Sequence, residues 1–186
     1  MMYVSIGIIG FLLFFIYDIN DIKWRKKQLN TMFTLGCILI LVSTAGVVSS
    51  SWQYHQQNWW FIVPALLFLL LLVYTLFFAL PFSDTYVSSE RGRPVCKTGV
   101  YALCRHPGVL WFIGLYGFLY LTFPSDQFAI YAVAICICNV IYIVFQDFWT
   151  FPKTFDDYDT YKKQAPFLIP CLSSIQNCFK TMGKRG

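Results

Sequence analysis

Residues 97–108 read Lys97-Thr98-Gly99-Val100-Tyr101-Ala102-Leu103-Cys104-Arg105-His106-Pro107-Gly108, a polar run between two long apolar ones. Arg105 and His106 would place donors at or just inside a membrane surface, where polar groups are costly unless a partner or ligand satisfies them. Pro107 suits the first position of a helix, since its missing N–H has no partner there anyway; that sets His106 near the N-cap. A helix N-terminus beside a guanidinium receives anions, a carboxylate or a phosphate. The same Arg105 could instead snorkel to lipid phosphate. These residues alone leave both roles open. They favour no metal: His55 and His106 are the only histidines, and the seven cysteines form no CxxC pair or disulfide framework. Neither a GxGxxG turn nor a P-loop is present.

The elements that must hold this run are membrane helices. The 186 residues are 58% hydrophobic and only 12% charged, against about a quarter charged in a soluble domain. The apolar residues fall in blocks at Met2–Tyr17, Met32–Val48, Trp59–Leu80, Val109–Phe123 and Phe128–Phe145. About 20 helical residues cross the hydrocarbon, so the first and fourth blocks are short. The expectation is an all-α polytopic bundle of about five transmembrane helices with a short cytosolic C-terminal helix. It reads as a single membrane domain: a three-helix part over 1–90, a part over 91–170 that holds the polar run, which the resemblance given below makes cofactor-binding, and an amphipathic tail over 171–186. Met2–Tyr17 lacks a basic n-region and a small-residue cleavage site, and is read as a helix rather than a leader.

All 14 Lys and Arg fall at 23–27, at 91–105 and after 152, while the segments 49–58 and 124–127 have none. By the positive-inside rule the three basic segments face the cytosol and the N-terminus lies outside. Cations against an anionic leaflet account for the net charge of +5 without any nucleic acid. In helix two Gly36, Ser43, Ala45 and Gly46 suit close helix contact.

Past the fifth block, Thr154 with Asp157 reads as a capping box. The helix it would open carries Phe155, Tyr158 and Tyr161 on one face, Lys162 and Lys163 in its last turn, and Pro166 as a stop. Leu172, Ile175, Phe179 and Met182 suggest a second amphipathic turn at the surface.

Thr98-Gly99-Val100-Tyr101, Arg105-His106-Pro107, and then Tyr158, Tyr161-Lys162-Lys163, Pro166 and Leu168-Ile169-Pro170 resemble, in order and spacing, the isoprenylcysteine carboxyl methyltransferase family and its phospholipid methyltransferase relatives. The resemblance covers about residues 93–170. It implies an S-adenosylmethionine-dependent membrane methyltransferase without a Rossmann domain, its cofactor enclosed at the cytosolic side by the last helices and the tail, and a lipophilic acceptor entering from the bilayer. On that resemblance Arg93, Pro94, Val95, Cys96, Tyr101, His106, Pro107, Gly108 and Val109 contact the cofactor, with Arg105 beside them. Val109 stands where the family has an aromatic, and Gln146, with Asp147 next to it, where it has a cofactor-binding glutamate. Tyr142 stands near the place of its substrate-binding arginine, so prenylcysteine carboxylate recognition does not carry over. An amine, thiol or lipid headgroup acceptor is the alternative. Two other readings remain: a non-catalytic scaffold or lipid-binding member of the same fold, and an NADPH-dependent membrane reductase with a similar Arg-His element.

Overall fold

A computed structural model describes residues 1–54, 57–79 and 94–182; the expected loop over 81–93, with Arg91 and Arg93, and His55 lie outside them. Every element among the described residues is helical: α1 Met2–Ile19, α2 Thr31–Tyr54, α3 Ile62–Val73, α4 Val100–Leu103, α5 Pro107–Thr122, α6 Asp126–Phe145, α7 Phe151–Thr154, α8 Tyr158–Gln164 and α9 Leu172–Thr181. Among the described residues, four continuous helical stretches are long and apolar enough to cross a membrane: Met2–Trp24, Lys27–Trp52, Trp59–Phe78 and Asp126–Thr154. The chain is therefore a multi-pass integral membrane protein, with the bilayer as its surroundings. α5 is apolar throughout but has only 16 residues.

Two of these stretches run further than their hydrophobicity predicts. The first continues past Tyr17 through a π-helical turn at Asn20–Trp24, and the last continues past Phe145 through one at Gln146–Thr150. Polar residues extend both because they satisfy one another. Asp18, buried, accepts from Gln146 Nε2 at 3.0 Å and Thr150 Oγ1 at 3.2 Å. Asn20, fully buried, closes the turn into α2: its Oδ1 accepts from Lys26 N at 2.9 Å, and its Nδ2 donates to Lys26 O and to Asn30 Oδ1, each at 3.0 Å. Arg25 takes a left-handed conformation, φ 53°, to finish that turn.

The chain forms two compact units, Met1–Leu66 with Ile113–Thr150, and Leu67–Phe112 with Phe151–Gly186. In the first, α1 and α2 cross where two glycines face each other. A Cβ on Gly36 would lie 2.6 Å from Phe14 Cε1 and 2.7 Å from the Gly10 carbonyl oxygen. Small residues allow this approach, which lipid-embedded helices use because apolar burial alone does not drive them together. A buried hydroxyl cluster joins the other helices: Tyr131 bonds Ser43 at 2.7 Å and Thr44 at 2.9 Å, and Tyr116 bonds Thr44 at 2.7 Å. Ser125 caps α6 by accepting from Phe128 N at 3.1 Å. Trp52, Trp59 and Phe123 cluster at one end of the unit, where an aromatic belt is expected.

Gly36→Ala should lower the thermal midpoint in detergent, by the equivalent of ~1–3 kcal/mol of overpacking. The backbone carbonyl of Gly10 cannot give way as a side chain could. Gly117→Ala, where a Cβ meets open space, is the control and should leave the midpoint unchanged or raised.

Candidate functional site

The second unit brings together the two sequence segments that suggested a site. Gly99, at φ 59°, makes a turn that L side chains rarely adopt and starts α4. Cys104 then returns the chain to extended geometry, and α5 begins at Pro107, as the missing N–H of proline predicts. Val109 N donates to His106 O at 3.1 Å, which places His106 at the head of a 16-residue helix.

The tail supplies what this irregular run needs. Arg105 N donates to Pro166 O at 2.9 Å, and the Tyr161 hydroxyl donates to Tyr101 O at 2.6 Å. Asp157 accepts from Val95 N at 2.8 Å and pairs with Lys97. On the other side of the run, the Tyr101 hydroxyl donates to Thr75 O and Trp111 Nε1 to Thr75 Oγ1, each at 3.0 Å. The run is thereby tied both to the tail and to the last turn of the third span.

Asp157 was expected in a capping box with Thr154. Instead α7 ends at Thr154 and α8 starts at Tyr158, because the carboxylate is spent on Val95 and Lys97. Tyr158 and Tyr161 form a buried cluster with Ala165; Phe155, expected on the same helix face, lies between α7 and α8 and packs against that cluster. His106 is buried, its ring stacked on Phe151 (5.8 Å between centroids, 14° between planes) and edge-on to Phe167 at 5.1 Å. The Arg105 guanidinium lies over the Phe167 ring at 5.4 Å. Sequence reasoning did not single out Phe151 and Phe167. They carry no motif, and only the fold of the tail brings them to His106.

Three ionisable groups here have defined states. Partial burial would raise the Asp157 carboxyl, but the hydrogen bonds from Lys97 and Val95 N–H outweigh it and hold the carboxyl below its ordinary value. Burial raises the Tyr161 hydroxyl, so it stays a neutral donor. Burial also pushes the fully buried Cys104 thiol up to about 11, so it is no nucleophile near neutral pH.

Of the expected cofactor contacts, Val95, Cys96, Tyr101, Arg105, His106, Pro107, Gly108 and Val109 all lie on this tied run; Val109 and His106 are buried, and Pro94 is exposed. Arg93 is outside the described residues. Tyr142, Gln146 and Asp147 belong to the first unit. There the Gln146 amide donates both to Asp18 and to the Tyr142 hydroxyl, at 2.8 Å for the latter, and Asp147 is buried. Asp18 had no signal in the sequence beyond being an acid at the end of an apolar block.

No protein-family profile and no solved structure matches the chain. It is similar to the nickel-cobalt-cadmium resistance protein NccN of Alcaligenes xylosoxydans xylosoxydans, 29% identical over 93 residues. That match covers 50% of this chain and 43% of the relative, so the chain spans less than half the length of the protein it matches.

Two variants test the ties. Tyr161→Phe leaves the Tyr101 carbonyl without its donor and should cost ~1–3 kcal/mol, read as a lower thermal midpoint in detergent. Asp157→Asn keeps an acceptor for Val95 N–H but loses the charge. Because the folded carboxyl is depressed, its stabilisation is present above about pH 4 and is lost as pH falls through the folded value. The wild-type midpoint should therefore drop on the acid side more steeply than that of Asp157→Asn.

Proposed function

We propose that the run 94–109 and the tail 151–170 bind S-adenosylmethionine, and that the protein transfers its methyl group to a lipophilic or membrane-associated acceptor. The observation that carries this reading is the meeting of the two motif segments in one unit, through Arg105–Pro166, Tyr161–Tyr101 and Asp157–Lys97.

The donor set suits such a cofactor. The Arg105 guanidinium and the head of α5 offer an anion receptor for an α-carboxylate. His106 with Phe151 and Phe167 makes an aromatic cluster beside Arg105, the kind of surface that suits a purine or a cationic sulfonium. S-adenosylmethionine, when bound, supplies an electrophilic methyl. The chain's part is positioning: it orients a carboxylate at Arg105, fixes the His106 ring against two aromatics and keeps water from a buried wall of Val109 and Tyr158. Cys104, protonated and buried, takes no covalent part.

We also read α5 as a fifth crossing, about 24 Å long at about 1.5 Å per residue. Five crossings put the basic segments and the site on the cytosolic side and the N-terminus outside. The acceptor is an amine, thiol or lipid headgroup, since helix α6 carries Tyr142 and no arginine. A non-catalytic scaffold is the second reading; the engagement of Gln146 and Tyr142 with Asp18 favours it.

Isothermal titration of the detergent-purified protein with S-adenosylhomocysteine should give micromolar binding, weakened at least tenfold in His106→Ala and in Arg105→Ala. Binding of NADPH alone would move the protein to the reductases. Binding of the thioether without turnover on any amine, thiol or lipid acceptor would support the scaffold.

A further inference from the structure

α9 has three distinct faces. Ser174 and Cys178 are buried and Thr181 is half-buried; this small-residue face packs on α4, and the Thr181 hydroxyl accepts from Gly99 N at 3.0 Å. The contact fixes the roll of the helix. The next face around, at i, i+3, i+7 and i+10, is Leu172, Ile175, Phe179 and Met182, with Leu172 82% and Phe179 70% exposed. Ser173, Gln176, Asn177 and Lys180 make the third face. Just before the helix, Ile169 is 81% exposed.

A rigidly held helix that presents large apolar side chains outward needs an occupant for that face. Its height in the molecule says which. α4, on which it packs, is tied through Tyr101 to Thr75, and Thr75 is three residues from Phe78, where the third span ends. α9 therefore lies where that span leaves the hydrocarbon. Charge agrees: after Asp159 the chain has no acidic residue, but it has Lys162, Lys163, Lys180, Lys184 and Arg185.

We infer that α9 is an in-plane anchor whose Leu172–Ile175–Phe179–Met182 face inserts at the headgroup boundary of an anionic leaflet, while its Ser174–Cys178–Thr181 face holds α4 and the site run in place. The inference rests on the multi-pass character of the chain and not on methyl transfer, so each can fail without the other.

The test uses full-length protein in nanodiscs of phosphatidylcholine, with or without a quarter phosphatidylserine. A Cys171→Ser background removes the thiol that would label first, since Cys171 is exposed and hydrogen bonds from Ser173 and Ser174 lower it to about 7. An environment-sensitive fluorophore is placed by Phe179→Cys, by Leu172→Cys at the other end of the stripe, or by Gln176→Cys on the polar face. Labels at 179 and 172 should be quenched by nitroxide carried on the lipid, and shielded from iodide several-fold relative to 176, with the shielding greater when phosphatidylserine is present. Equal iodide access at all three positions would overturn the proposal. So would shielding at 179 that depends on protein-to-disc ratio and ignores lipid-borne nitroxide, because a second copy would then be the occupant.

Discussion

Backbone that leaves helical geometry near a membrane must find its hydrogen bonds within the protein. The run from Pro94 to His106 does leave it, at the left-handed Gly99 and the extended Cys104. The rest of the second unit follows from that constraint. The Pro166 carbonyl, the Tyr161 hydroxyl and the Asp157 carboxylate each take up a group that the run exposes. To reach it, the tail breaks at Thr154, restarts at Tyr158 and stops before Pro166, and both Phe151 and Phe167 come to lie against His106.

The first unit meets the same constraint at the ends of its spans. Asp18 is a buried acid at the end of an apolar block, tolerable because Gln146 and Thr150 donate to it. Asn20 uses both ends of its amide to close the turn into α2. Each of these residues lengthens a helix that composition alone would end sooner. Side-chain polarity here extends secondary structure, the reverse of its usual meaning in an apolar sequence.

What the chain disclosed in advance depended on range. Local rules were legible: the apolar blocks, the start of α5 at Pro107, the buried face of Tyr158 and Tyr161, and the close contacts at Gly36, Ser43 and Gly46 of α2, though Ala45 is exposed. The pairing of Gln146 with Asp18, 128 positions apart, was not, because nothing local distinguishes it from a solvated pair. Asp157 misled for a related reason. Its spacing from Thr154 satisfies a capping box, but the two partners it serves, Val95 and Lys97, offer a backbone N–H and a charge together, and that combination wins. The polar run and the aromatic tail each stand out in the sequence; that they meet through main-chain bonds to Tyr101 and Arg105 required the fold.

The central claim is that residues 94–109 and 151–170 make one cofactor site. Its most direct test is photo-crosslinking of methyl-tritiated S-adenosylmethionine to the detergent-purified chain, followed by peptide mapping. The account predicts label on peptides from those two segments, displaced by excess S-adenosylhomocysteine. Label that resists displacement, or that falls within residues 1–66, would contradict it.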